Sequence, residues 1–312
     1  MTRQQRDTLD ALLRSAPSDP HPAPEAERLA FAAALTRPAP DDVATRRTVV
    51  GGLPALELEP AGAAGRGRLL YLHGGGYVIG SPDTHAGLVG ELARRTGVRA
   101  TSPDYRLAPE HPFPAPVDDG LAVYRALLDD GTDPRELVLA GDSAGGGLAI
   151  AVLLAARDAG LPQPAAVAVL SPWTDLTLGG ESIRTKEQAD PIFTGDHLRA
   201  YADHYLGDRD RSQPLASPVF ADLTGLPPLL IQVGSNEVLL DDAVRLAGRA
   251  GADDVDVTLE IRPHVPHVFQ HHYGRLDEAD AALDGLARFL GGKLAAARPA
   301  PASRAQAASG PR

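Results

Sequence analysis

Gly141-Asp142-Ser143-Ala144-Gly145-Gly146 follows the apolar run Leu137-Val138-Leu139-Ala140 and precedes a helical run from Leu148 to Ala156. The order is strand, sharp turn, helix. A serine at the apex of such a turn has a strained backbone and a hydroxyl pushed beyond the sheet's edge, and glycines two residues to either side let strand and helix approach without Cβ clashes. Gly-x-Ser-x-Gly also arises by chance in a chain with 32 glycines, and a serine at a helix start has the commoner role of N-cap. The apolar strand before it and the helix after it are the context that a reactive serine requires.

A second stretch, His73-Gly74-Gly75-Gly76-Tyr77, directly follows the apolar run Leu69-Leu70-Tyr71-Leu72. An acyl-transfer enzyme needs backbone N–H donors fixed in advance for the developing oxyanion, and adjacent glycines leave those donors uncovered. A His-Gly-Gly-Gly loop upstream of a nucleophile elbow supplies them. The two motifs are independent, and together they predict a serine nucleophile with a preformed oxyanion site.

Composition narrows the chemistry. The 312 residues suffice for a large core, and one α/β domain with a lid fits that length. With 43% hydrophobic and 23% charged residues the chain reads as globular and soluble, without an apolar run of membrane-span length. Its first residues, Met1-Thr2-Arg3-Gln4-Gln5-Arg6, lead into a polar amphipathic segment, so the expected location is the cytoplasm. There are no cysteines, which excludes disulfides, thiolate metal sites and a cysteine nucleophile. A net charge of −11 opposes nucleic acid and stable membrane association; a small uncharged ester is the more natural partner. The only lysines, Lys186 and Lys293, fit neither a Walker-type phosphate loop nor a Ser-x-x-Lys acylase.

Along the chain, residues 1–45 are expected to form two amphipathic helices around the Pro-rich stretch Ala16 to Pro24, placed to cover an active-site mouth. Arg46 to Glu59 reads as a β-hairpin turning at Gly51-Gly52, an antiparallel edge. From residue 68 strands and helices alternate, implying a mostly parallel sheet with helices on both faces. Strands are expected at Arg68–Leu72, Val98–Ser102, Leu137–Ala140, Ala166–Leu170, Leu229–Val233 and Val255–Ile261, eight with the hairpin. Helices are expected near His85–Arg95, Ala115–Leu128, Ala144–Ala159, Asp241–Ala250 and Asp277–Leu294. The alternation stops over residues 176–216, read as a cap insertion in a catalytic domain of residues 46–294. Residues 295–312, rich in Ala, Pro, Ser and Arg, are expected to be disordered.

A serine hydroxyl needs a base, usually a histidine oriented by a carboxylate, and in this arrangement the chain order is Ser, acid, His. His267, in the loop after the last strand, is the chosen base; His264 is the alternative, with a capping or packing role more expected of it. His264, His267 and His271 have metal-compatible spacing, but Pro263 and Pro266 break a helix there, and no metal site is expected. His271 and His272 read as a solvated turn, and His73 as fixing its loop by a hydrogen bond. The acid candidates are Glu237, Asp241 and Asp242. Glu237 is nearest the end of its strand, while carboxylates at a helix start are favoured anyway, so Glu237 is preferred.

These residues resemble the hormone-sensitive-lipase-like esterases, bacterial family IV of the α/β-hydrolases. Besides the two glycine motifs, the likeness rests on Asp104-Tyr105-Arg106-Leu107-Ala108-Pro109-Glu110-His111-Pro112-Phe113-Pro114-Ala115, on Ser171-Pro172-Trp173-Thr174-Asp175, on Ser217-Pro218 and on Gly225-Leu226-Pro227-Pro228. It covers nearly all of residues 69–290. The resemblance implies an α/β-hydrolase fold: an eight-stranded, mostly parallel sheet flanked by helices, with a helical cap. It implies an oxyanion hole from the N–H groups of Gly75, Gly76 and Ala144, and a largely structural Asp142. Many relatives read Asp-Pro-Leu-Arg-Asp where this chain has Glu237-Val238-Leu239-Leu240-Asp241, which puts glutamate in the acid slot and Asp241 in that of a supporting aspartate. A homodimer through the eighth strand and its following helix is compatible with the family.

The resulting expectation is a cofactor-independent serine carboxylesterase acting on short- to medium-chain esters, with Ser143, His267 and Glu237 as its triad. Tyr77, Trp173, Tyr201, His204 and Tyr205 are candidate pocket residues, with ordinary packing as their alternative role. The rival functions are a lactonase, a deacetylase of a small natural product, and a non-catalytic small-molecule receptor on the same scaffold.

Overall fold

The computed structural model describes residues 2–15, 23–63 and 67–296. Two helices come first, α1 (Thr2–Arg14) and α2 (Pro24–Leu35). Most of the Pro-rich stretch between them, and the expected disordered tail beyond Ala296, lie outside the described residues. The hairpin β1 (Val43–Val50) and β2 (Leu53–Pro60) follows. Its two-residue turn uses Gly51 and Gly52, with φ of 61° and 85°, the geometry that matches the twist of paired strands and that glycine adopts without a Cβ penalty.

Strands and helices then alternate: β3 (Arg68–Leu72), α3 (Pro82–Thr96), β4 (Arg99–Pro103), α4 (Ala115–Asp129), β5 (Leu137–Asp142), α5 (Ser143–Asp158) and β6 (Ala166–Leu170). A longer excursion carries the short α6 (Ser182–Thr185) and α7 (Gly195–Leu206). The chain closes with β7 (Leu229–Gly234), α8 (Leu240–Ala252), β8 (Val257–Arg262) and α9 (Asp277–Ala296). The eight strands form one sheet in the order β1-β2-β4-β3-β5-β6-β7-β8. Only the β1/β2 and β2/β4 pairs are antiparallel; the rest are parallel.

The central strands read as unbroken apolar runs because both of their faces are covered. Successive side chains point to opposite faces. Leu70 and Leu72, Leu137 and Leu139, Val167 and Val169 enter a core shared with α4, α5 and α8. Leu69 and Tyr71, Val138 and Ala140, Ala166 and Ala168 enter a second core with α3 and α9. Each fully buried leucine contributes about 1.5–3 kcal/mol of transfer free energy, so these two layers hold the sheet rigid beneath the loops.

The candidate nucleophile, base, acid and oxyanion loop all lie at the carboxyl ends of parallel strands, where open α/β sheets bind ligands, whereas Tyr201, His204 and Tyr205 lie on α7. The glycine loop follows β3, Ser143 follows β5, Ser171 follows β6, Glu237 follows β7 and His267 follows β8. These five strands are consecutive neighbours in the sheet. α2 and α7 meet above them through a hydrogen bond from the Tyr201 hydroxyl to Glu27. Among the described residues no helix is long and apolar enough to cross a membrane.

Candidate active site

β5 runs into α5 with no intervening loop, and Ser143 stands at the junction with φ of 53°. A residue with a Cβ is strained in that left-handed region, and such strain persists where the surrounding structure enforces it. The flanking glycines are a steric necessity. A Cβ on Gly141 would lie 2.3 Å from the carbonyl oxygen of Gly145, and one on Gly145 would lie 2.1 Å from that of Leu72. Asp142, not Ser143, is the N-cap of α5, and its side chain caps nothing in the helix. The first N–H groups of α5 are therefore left open toward the site. Ser143 is 8% exposed, and its hydroxyl makes no hydrogen bond among the described residues.

The glycine loop faces this helix start. Gly75 and Gly76 have φ of 119° and 60°, and among the described residues the N–H groups of Gly75, Gly76 and Ala144 have no hydrogen-bond partner. Around them the loop is tied down. Gly74 N–H donates to Asp142 Oδ1 at 3.0 Å, and the Tyr105 hydroxyl donates to the His73 carbonyl at 2.6 Å. The His73 ring stacks on Tyr105 at 4.1 Å and bonds through Nδ1 to the Gly74 carbonyl at 2.8 Å. Burial, with His85 nearby, pushes His73 down to about 3. It is neutral, and its bonding is that of a loop fastener.

His267 and Glu237 meet across the ends of β7 and β8, with Nδ1 3.2 Å from Oε1. Glu237 is fully buried, and its Oε2 accepts from Ser171 Oγ at 2.8 Å and from Gly234 N–H at 3.0 Å. Ser171 Oγ in turn accepts from Val268 N–H at 3.0 Å, so the carboxylate and the loop carrying the imidazole share one anchor. The Phe193 ring stands edge-on to His267 at 5.1 Å and 82°. His267 Nε2 is buried and makes no hydrogen bond among the described residues. Burial opposes a charge on His267, but Glu237, Asp190 and Asp142 outweigh it and hold the imidazole above its ordinary value of 6.5.

A family model for the α/β-hydrolase fold matches residues 69–271. An acetyl-hydrolase from Streptomyces hygroscopicus is 46% identical over 251 residues, 80% of this chain and 82% of that protein. A crystal structure of an esterase/lipase from an uncultured bacterium superposes with a TM-score of 0.90 at 43% identity, covering 93% of this chain and 99% of the other. An esterase from the bacterial hormone-sensitive lipase family gives a TM-score of 0.89 at 44% identity over 93% and 98%. The chain belongs to the hormone-sensitive-lipase family of α/β-hydrolases.

Within this hydrolase the other acid candidates face elsewhere. Asp242 Oδ2 accepts from the N–H groups of Thr174 and Asp175, both at 2.8 Å. Burial pushes its carboxyl up to about 8. Asp241 accepts from Ser182 N–H at 2.9 Å. Both tie the start of α8 to the segment after β6. His264 is exposed, with its N–H donating to Ser235 Oγ. His271 differs from the expected solvated turn. Its side chain is 10% exposed and its Nε2 lies 3.8 Å from Asp142 Oδ2, because Val268, at φ of 43°, turns the 3-10 segment Phe269–His272 inward.

The aromatic candidates separate into two groups. Tyr77 and Tyr205 stack at 3.9 Å and 4°, with Trp173 6.2 Å from Tyr77; all three are buried in the core. The Tyr201 ring closes over Gly76, where an added Cβ would approach it to 2.7 Å. His204 is half-buried and makes no hydrogen bond or ring contact among the described residues. Sequence reading missed Asp190. Its Oδ2 accepts from Val238 N–H at 2.9 Å, and its Oδ1 from Ile192 and Phe193 N–H at 2.8 and 3.0 Å. Asp190-Pro191 was its one local signal, since Asp side chains bond to the backbone two residues on in turns.

One group among the described residues, His85, Asp142 and His271, brings potential metal-ligand atoms within 4.8 Å of one another. Asp142 Oδ1 is already occupied by the Tyr71 hydroxyl at 2.8 Å and by Gly74 N–H, and His85 Nε2 bonds Oδ2 at 3.3 Å. The donor set is engaged in an internal hydrogen-bonded network.

Proposed function

We propose that this chain is a serine carboxylesterase for short- to medium-chain esters, working without a cofactor. In this reading Ser143 Oγ attacks the ester carbonyl carbon while His267 Nε2 takes the hydroxyl proton. The negative charge that develops on the carbonyl oxygen settles among the N–H groups of Gly75, Gly76 and Ala144. Collapse of this intermediate expels the alcohol oxygen, which receives the proton from His267. Water then attacks the acyl-enzyme with His267 again as base, releasing the acid and restoring Ser143. Glu237 keeps the proton of the neutral imidazole on Nδ1 and stabilises the imidazolium once it forms.

The observation that carries this reading is the 3.2 Å contact of His267 Nδ1 with Glu237 Oε1 beside an unengaged Nε2. A base must have one nitrogen held and the other available. The three unpaired N–H groups around Ser143 add a preformed anion site. The relatives, an acetyl-hydrolase and esterases, support ester hydrolysis and a small acyl group. The proposal includes the division into cap helices 1–45, a catalytic domain 46–294 and a cap insertion 176–216.

The test is hydrolysis of p-nitrophenyl esters of rising acyl length by the native protein and by Ser143→Ala. Turnover peaking at short to medium chains and abolished in Ser143→Ala is the expected result. Activity confined to long-chain emulsions would overturn the chain-length reading. Small-molecule binding without any turnover would instead make the chain a receptor.

A further inference from the structure

Asp142 touches all three loops of the site. It precedes Ser143 in the chain, it accepts Gly74 N–H from the glycine loop, and its Oδ2 faces His271, four residues beyond His267. Asp142 is 2% exposed. A buried charge is tolerable only when paired and hydrogen-bonded. Its Oδ1 has two donors, the Tyr71 hydroxyl and Gly74 N–H, and its Oδ2 has His85. Burial works against ionisation of Asp142, but His85 and His271 overcome it and hold the carboxyl well below its ordinary range.

The hydrogen bonds on the far side of His85 fix the orientation of its ring. Thr84 Oγ1 donates its proton to the Ser81 carbonyl at 2.8 Å and accepts Ser81 N–H at 3.0 Å. His85 Nδ1 stands 2.8 Å from that hydroxyl oxygen and 3.3 Å from the same carbonyl. Asp142 Oδ2 is a carboxylate oxygen and only accepts, so His85 Nε2 supplies the hydrogen of that contact. The capping box at the start of α3, formed by Ser81 and Thr84, holds the other side of the ring.

We propose that His85 is a positioning residue of the reaction, acting through Asp142 on Gly74 to hold the donors of Gly75 and Gly76 in register with Ser143. Resting on the esterase reading above, this assigns to α3, on the face of the sheet opposite α5, a part in stabilising the oxyanion. His85 touches no substrate; it holds the carboxylate in the ionised, oriented form that Gly74 N–H requires. Loss of the ring's donor leaves Asp142 free to take a proton or rotate, and the glycine loop loses its anchor at the point where it meets the elbow.

The test compares His85→Leu, which removes the donor to Asp142 Oδ2, with His85→Gln, whose amide nitrogen can still reach Oδ2. Steady-state hydrolysis of p-nitrophenyl butyrate is measured beside the inactivation rate by diethyl p-nitrophenyl phosphate, whose attack by Ser143 also builds charge in the oxyanion site. His85→Leu is expected to lose about 10- to 100-fold in kcat and in inactivation rate, with KM within about threefold. His85→Gln should recover most of that loss. Should His85→Leu fail to fold, Tyr71→Phe removes a donor from Asp142 Oδ1 and is expected to show a smaller fall in kcat at unchanged KM. A leucine variant, or in its place a Tyr71→Phe variant, with native kcat overturns the proposal, as does a loss explained by unfolded protein on active-site titration. Native turnover with native-like variants removes this inference alone; absence of native turnover removes the esterase reading and this inference with it.

Discussion

Glu237 Oε1 lies 3.2 Å from His267 Nδ1, and the other oxygen of the same carboxylate is held by Ser171 Oγ and Gly234 N–H. One oxygen is thus free to orient the imidazole because the other is fixed. Glutamate is one methylene longer than aspartate, and Ser171 takes up that reach from the neighbouring strand. The backbone at Ser171, at φ of 46°, is turned into the left-handed region to bring its hydroxyl there. This is strain at a functional site with an identifiable purpose.

Replacing Glu237 by Gln keeps the shape but offers an amide that can present N–H toward Nδ1, favouring the wrong tautomer of His267. The expected loss is roughly a thousand- to ten-thousand-fold in kcat with little change in KM. Asp241→Asn retains an acceptor for Ser182 N–H and should stay within about twofold of native activity, as for substitutions that keep their contacts. Kinetics of both variants on one short-chain p-nitrophenyl ester decide between them. A severe loss in Asp241→Asn beside a mild one in Glu237→Gln would move the acid to Asp241.

The charges around His267 set its pH dependence. Because Glu237, Asp190 and Asp142 hold its folded-state value above 6.5, kcat/KM should rise with pH along a limb whose midpoint lies above 6.5, since only the neutral imidazole can accept the Ser143 proton. The stability sign is opposite. A raised folded value contributes stability fully present below 6.5 and lost as pH rises through the folded value. Asp190→Asn removes one of these charges while leaving an acceptor, and should lower the midpoint by about half a unit. A pH profile of kcat/KM from 5 to 9 for both proteins reads this directly; a midpoint below 6.5 in the native protein contradicts the field described here.

The fold was legible in the sequence because its central strands are buried on both faces and therefore read as uninterrupted apolar runs. The elbow and the glycine loop were legible for a different reason: Gly141, Gly145, Gly75 and Gly76 stand where close approach or a positive φ excludes other residues. The acid was ambiguous because three carboxylates fall within six residues, and only the placement of β8 beside β7 puts one of them against the imidazole. His85, Asp190 and the inward turn of His271 were hidden. Each works through contacts made by distant segments, and nothing in the residue type of Val268 announces the φ of 43° that swings His271 toward Asp142.

The φ of 53° at Ser143 makes a further prediction that separates reactivity from stability. A residue other than glycine held in the left-handed region costs on the order of 1 kcal/mol, whereas glycine adopts it freely. Ser143→Ala removes the proposed nucleophile but keeps the Cβ and its strain. Ser143→Gly removes both. Neither variant should turn over an ester. In thermal unfolding the glycine variant should melt above the alanine variant by about 2–4 °C, the shift that 1 kcal/mol produces in a domain of this size. This reverses the usual order at the start of a helix, where glycine is the weaker residue. An alanine variant that melts at or above the glycine variant would mean that the elbow stores no strain. The tight β5–α5 turn would then be held by the Gly141 and Gly145 contacts alone.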